Sequence, residues 1–287
     1  MSADPIPTTE HLAGLGDFQM QNLLFAASGS VRLSILGVIL LGLMTGAFFL
    51  GRRLRIRCER KARRTKSKLD GYIVTAVLGL LALLLGFTFS LAVSRFEERR
   101  SIVATQANAI STAYLRVQLL GPPYREHISH LIRDYTAIQL RLAAIGYPSS
   151  GPLRAEADGL LTKIWAATVA ALKAPEGVPF ATLVGSSVTG LIDEDGFRQS
   201  ARDARVPITI LIVLWIFLVS VGGVLGYETR KGETVLAACF VLALMTASLL
   251  LVMDIDRPSS GAIVESQTPM EQLSHSLMRS PPAVFGR

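Results

Sequence analysis

The sequence predicts an all-α integral membrane protein: four transmembrane helices, with a helical extramembrane domain inserted between the second and third. Three observations predict it. Half of the 287 residues are hydrophobic and only 18% are charged, below the roughly one quarter usual in soluble domains. Four runs of about 19 to 24 uncharged residues each match the length at which a helix crosses a hydrocarbon core of roughly 30 Å. Between the second and third runs lies a polar region whose apolar residues recur at helical spacing, with no sustained strand alternation.

Residues 1–31 hold no Lys or Arg, so they lack the basic leader of a secretory signal peptide. Pro5 and Pro7 predict a loose tail, and DFQMQNLLFAAS (17–28) a short interfacial helix. The first span is 32–51, with Gly37, Gly42 and Gly46 recurring as small residues suited to close helix approach in lipid. Residues 52–70 read as a basic loop. The second span, 71–94, is the longest apolar run. It turns into the charged sequence RFEERR with no Pro or Gly between, so one helix is expected to leave the lipid and continue into water. Residues 95–205 form the extramembrane domain. Val103, Ala107, Ile110, Tyr114 and Val117 fit one helix face, Gly121-Pro122-Pro123 ends that helix, and Tyr147–Pro152 and Pro175–Pro179 are turn clusters that separate further helices. The third span is 206–227 and the fourth 234–253. The short loop 228–233 makes them an antiparallel hairpin. Residues 254–287 read as a polar tail whose last part is poorly ordered.

The net charge of +7 is concentrated in one place. Residues 52–69 carry ten Lys or Arg against Glu59, a local +9, and the rest sums to −2. No aromatics interleave there for base stacking, so nucleic acid is not an expected partner; the partner is membrane lipid, the loop fixing topology and each cation contributing on the order of 1 kcal/mol near anionic headgroups. With Arg230 and Lys231 the count on this side is twelve, against seven on the other. Because short cytoplasmic loops collect Lys and Arg, both termini and the 95–205 domain are placed outside the cytoplasm of a multi-pass protein of the bacterial inner membrane. Cys58 and Cys239 imply no disulfide framework.

The stretch Leu85-Gly86-Phe87-Thr88-Phe89-Ser90-Leu91-Ala92-Val93-Ser94-Arg95-Phe96 resembles the second transmembrane helix of bestrophins. Asp254-Ile255-Asp256-Arg257-Pro258-Ser259-Ser260-Gly261 resembles the acidic segment that follows their last helix. The order of two helices, helical insert, two helices and tail is shared, and the chain is most similar to the bacterial bestrophin-like family designated DUF4239. The resemblance implies a homo-oligomer, a pentamer in bestrophins, that conducts anions through a pore lined by the second helix. Carried over by position, the pore neck falls on Gly79, Leu83 and Phe87, spaced i, i+4, i+8. The sequence departs from the pattern at Gly79, which has no side chain, and at Glu97, which stands where a second aromatic follows the Arg. Bestrophins also keep their termini and insert in the cytoplasm, opposite to the charge count here.

Other readings of the same residues stand beside this one. Leu83 and Phe87 also read as plain lipid or packing contacts flanking the small stripe Ala82, Gly86 and Ser90. Arg95, Glu98 and Arg99, with Glu97 and Arg100, form a charged cluster at the membrane exit, either an ion-selecting ring or a snorkelling anchor. Asp254, Asp256 and Glu265 are oxygen ligands too loosely spaced to specify a hard cation. His127 and His130, with Glu126 and Asp134, lack a third zinc ligand. Gly222, Gly223 and Gly226 follow no strand and read as packing. No catalytic motif is visible, so no enzyme and no cofactor is expected. The alternative to a channel is a non-conducting membrane scaffold or sensor whose helical domain binds a partner.

Overall fold

The computed structural model describes residues 10–61, 68–145, 150–229, 235–257 and 263–285, and all regular structure among them is helical. α1 runs Glu10–Lys61, α2 Lys68–Val117, α3 Tyr124–Ile145 and α4 Gly151–Lys173. After a 3₁₀ turn at Val178–Phe180 come α5 Ala181–Asp203, α6 Ile208–Glu228, α7 Val235–Ile255, α8 Thr268–Arg279 and the single turn α9 Pro282–Phe285. Four of these stretches are long and apolar enough to cross a membrane, within α1, α2, α6 and α7.

α1 and α2 are longer than a bilayer needs. The 50 residues of α2 make a rod of about 75 Å, more than twice a hydrocarbon core. The 52 residues of α1 overturn two expectations. Residues 17–28 are not a separate interfacial helix but part of α1, and residues 52–61 of the expected basic loop are its last turns; 62–67 lie outside the described residues. No Pro interrupts α1, lipid enforces internal hydrogen bonding within the span, and Arg and Lys are good helix formers beyond it.

The membrane part packs around Leu40, Met44 and Phe48 of α1, Leu81 of α2, Leu214, Leu218 and Val221 of α6, and Leu242 and Leu249 of α7. α6 and α7 each pack against both α1 and α2, which make no close backbone approach to one another among the described residues. The closest seam is α1 on α6. A Cβ at Gly222 would stand 2.5 Å from Met44 O, one at Gly226 would collide with Phe48 O, and one at Gly51 with Gly223 O. Glycine at three crossing points lets the backbones meet, which in lipid drives association where the hydrophobic effect cannot. Of the three small residues noted in the first span, only Gly37 meets a neighbour, Leu250; Gly42 and Gly46 face open space.

Outside the membrane, α2 to α5 form a bundle. Val103, Ala107, Ile110, Tyr114 and Val117 are all buried in its core, as their spacing predicts, against Ile128, Ile132 and Tyr135 of α3, Ile164 of α4, and Val184, Val188 and Leu191 of α5. The tail departs from the expectation of disorder. α8 lays Met270, Leu273 and Leu277 into the same core, and Tyr114 Oη donates to Ser280 O at 2.8 Å. A helix of 12 residues is marginal alone; three buried apolar side chains, each contributing roughly 1.5–3 kcal/mol, hold it.

Gly226→Ala is expected to destabilise the detergent-solubilised protein by about 1–3 kcal/mol or more, since the added methyl must push backbone aside. Gly42→Ala, into open space, should leave the thermal midpoint unchanged or slightly raised. Thermal unfolding of both variants checks the pair.

Candidate functional site

The two faces of α2 are built differently. The inward face runs Leu81, Thr88, Ala92, Arg99, Val103, Gln106 and Ala107, all buried, a stripe stepping by about two helical turns or one. The opposite face begins at Gly79, Leu83 and Phe87. No part of the same chain covers it among the described residues: Leu83 is 53% and Phe87 66% exposed, and Gly79 has nothing within reach of a Cβ. Ala82, Gly86 and Ser90 are exposed beside them. Projected at about 100° per residue, this face continues through Ser94, Glu97, Ser101, Thr105 and Asn108, all exposed, so one uninterrupted surface passes from lipid depth into water.

The exit cluster divides by face. Arg99 is on the inward stripe and buried at 2% exposure. Its Nε donates to Glu265 Oε1 at 2.8 Å, an ion pair with both side chains buried, and its Nη2 donates to Ile255 O at 2.8 Å, at the C-terminus of α7. Arg95 is half-buried and Glu98 exposed, and among the described residues neither forms an ion pair. Glu98 instead borders a groove of about 490 Å³ between α2 and α5, with Thr105, Glu194 and Phe197; Thr105 Oγ1 donates to Glu194 Oε2 at 2.9 Å.

A polar network lies one to two turns further along. Asp195 of α5, 4% exposed, accepts from Tyr135 Oη at 2.5 Å, Gln139 Nε2 at 2.7 Å and Gln106 Nε2 at 3.3 Å on one oxygen, and from Gln199 Nε2 at 2.9 Å on the other. Arg198 donates to Gln106 Oε1 and to Gln267 Oε1 at 2.9 Å. Burial, and then the neighbouring Asp195 carboxylate, pushes the Tyr135 hydroxyl well above its ordinary value, so Tyr135 remains a donor. Burial, followed by the charge of Arg202, lowers Arg198 to about 9, still cationic at neutral pH. Two buried arginines, one on α2 and one on α5, thus hold residues 265 and 267 ahead of α8.

The remaining sequence candidates have ordinary surroundings. Asp256 Oδ1 accepts from Val206 N at 3.0 Å and Asp254 Oδ2 from Ile263 N at 3.3 Å. With Glu265 on Arg99, these carboxylates tie the helix ends and tail rather than converge, and among the described residues no group of three or more metal-ligating side chains forms. His127 and His130 are exposed, as are Cys58 and Cys239. The Arg99–Glu265 pair was not foreseen as a pair, although one signal pointed to half of it. One turn before Val103 on the predicted core face stands Arg99, and an arginine on a buried face needs a carboxylate.

A family model for a Bestrophin-like domain matches residues 31–270. Among solved structures, a bacterial bestrophin homolog from Klebsiella pneumoniae bearing a tryptophan-to-alanine mutation superposes with a TM-score of 0.64 at 15% identity, covering 89% of this chain and 98% of that one. A leucine-to-threonine mutant from the same bacterium gives 0.63 at 14% identity, with 88% and 99% covered. A structure of the Klebsiella homolog phased on zinc gives 0.62 at 15% identity, with 87% and 98% covered. No curated protein sequence matches.

Removing one partner of the buried pair, by Arg99→Ala or Glu265→Ala, is expected to cost roughly 3–5 kcal/mol, because the other charge stays buried. Joint replacement by Met and Leu should recover most of it. Thermal unfolding, with limited proteolysis of the segment ahead of α8, reads both outcomes.

Proposed function

Because this chain belongs to the bestrophin-like family, we propose that it assembles into a homo-oligomer, a pentamer by the family's pattern, in which the exposed face of α2 lines an ion pore. The observation that carries this reading is the contrast between α2 and the other spans. Outward positions of α1 and α6 are mostly bulky and apolar, including Ile35, Val38, Phe49, Ile212 and Ile216, and α7 adds Leu236 and Phe240, which suits acyl chains, with Gly42, Gly46 and Ser220 as the smaller outward residues among them. The outward face of α2 instead mixes Gly79, Ala82, Gly86, Ser90 and Ser94 with Leu83 and Phe87. Small residues favour close approach of copies, and polar ones do not suit lipid. Phe87 and Leu83, repeated around an axis, would form an apolar constriction of the kind that gates by dewetting.

The family resemblance gives anions as the conducted species. A second reading, conduction of cations, is favoured by the charges on this face. Glu97 and Glu98 are exposed just past the constriction, as is Arg100; Glu194 lines the same groove as Glu98, while Arg99 is turned away into the protein. Rings of acidic side chains favour cations. We orient the chain by its charge, with residues 52–61 at the cytoplasmic surface and the helical domain opposite.

Currents through reconstituted protein test the pore. Phe87→Ala and Leu83→Ala should each raise conductance, by roughly severalfold if the apolar neck limits flow; currents indifferent to both would remove α2 from the pathway. Glu97→Gln with Glu98→Gln should shift the reversal potential in a salt gradient toward anions under the cation reading and leave it unchanged under the anion reading. A reporter fused after Arg287, active only outside the cytoplasm, should be active.

A further inference from the structure

The seam between α1 and α6 leaves a groove of about 520 Å³ on the surface of the membrane domain, walled by Ala47, Leu50 and Leu54 of α1 and Val219, Gly223 and Tyr227 of α6. Its origin is the glycine seam: Gly51, Gly222 and Gly226 draw the two backbones together, and the small residues Ala47, Ser220 and Gly223 leave the flank of that contact unfilled. The walls are apolar except for Ser220 and, at one end, Glu228. From Ala47 to Leu54 the groove follows α1 for about 10 Å, at the end of the span where the basic residues begin.

That end carries the charge. One turn beyond Leu54 on the same helix face is Arg57, and Arg53 immediately precedes it; both are exposed, and Arg52 is half-buried. Arg55 is already engaged, donating Nη1 to Tyr227 O at 2.8 Å and to Glu228 O at 2.7 Å. It thereby caps the carbonyls at the C-terminus of α6, which would otherwise repel an anion. Arg52, Arg53 and Arg57 form no hydrogen bond or ion pair among the described residues. Beside the groove the same two helices are bulky and apolar, with Phe49 51% and Ile216 60% exposed.

An apolar slot at lipid depth, ending under free guanidinium groups, matches one kind of molecule. We propose that this groove binds an anionic glycerophospholipid, one acyl chain lying between Ala47 and Val219 and the phosphate held by Arg53 and Arg57. The site is independent of whether the protein conducts ions, since neither α2 nor its outer face takes part.

The experiment is native mass spectrometry of the full chain in mild detergent, titrated separately with phosphatidylglycerol and phosphatidylcholine. Expected is one phosphatidylglycerol retained per chain and no comparable retention of phosphatidylcholine. Arg53→Gln and Arg57→Gln should each weaken retention roughly fivefold, and Lys at both positions should keep it. Ser220→Trp, which fills the slot from an exposed position, should abolish retention with the melting temperature unchanged. Equal retention of the two lipids, or retention indifferent to the arginine-to-glutamine changes, would overturn the proposal. So would disulfide cross-linking between copies through Ser220→Cys, in a chain with Cys58 and Cys239 changed to Ser, because it would give the groove to a neighbouring subunit.

Discussion

The buried contact between Arg99 and Glu265 is the constraint on which the arrangement depends. It lies where α2 leaves the lipid, and it joins three parts of the chain that are far apart in sequence. The guanidinium belongs to the long rod, the carboxylate to the segment after the fourth span, and the second acceptor, Ile255 O, to the end of that span. Such a pair contributes little net stability, because desolvation offsets most of the attraction. Its contribution is register. With Arg99 fixed on Glu265, the inward stripe of α2 faces α7 and the domain core, and the opposite stripe of Gly79, Leu83 and Phe87 is necessarily turned outward. Arg198 repeats the device from α5 onto Gln267, so the tail is held from two sides before α8 begins.

Much of this was legible in the residues. The uninterrupted run from Gly71 through Arg100 announces a helix that outlasts the membrane, because nothing in it can stop one. The face Val103 to Val117 shows its burial by spacing alone. The tail was not legible as structure because Ser, Pro and charge dominate its composition. Yet Met270, Leu273 and Leu277 fall at i, i+3 and i+7, a short signal outweighed by its polar surroundings. The extent of α1 was hidden for a related reason: a run of arginines reads equally well as a loop or as a solvated helix, and only the absence of Pro and Gly after Gly51 separates the two.

Small residues show most plainly what a single sequence leaves open. Gly42, Gly46, Gly86, Gly222 and Gly226 are chemically identical and all lie in apolar runs. Two of them, Gly222 and Gly226, are pressed against the backbone of α1. The other three face outward with nothing against them. Spacing identifies a face that permits close approach but not the partner that uses it. In this chain the internal partner of Gly222 and Gly226 is α1, and the outer face of α2 is left uncovered among the described residues.

The return of α8 to the domain core has a consequence for how the protein is made. Met270, Leu273 and Leu277 complete a core whose other walls come from α2 to α5, yet α6 and α7 are translated in between. Until the ribosome has delivered both of those spans, Tyr114 has no Ser280 to bond and Arg99 no carboxylate to meet. Biogenesis therefore passes through a stage in which the extramembrane bundle stands open on one side, and its closure reports that the last hairpin has been inserted.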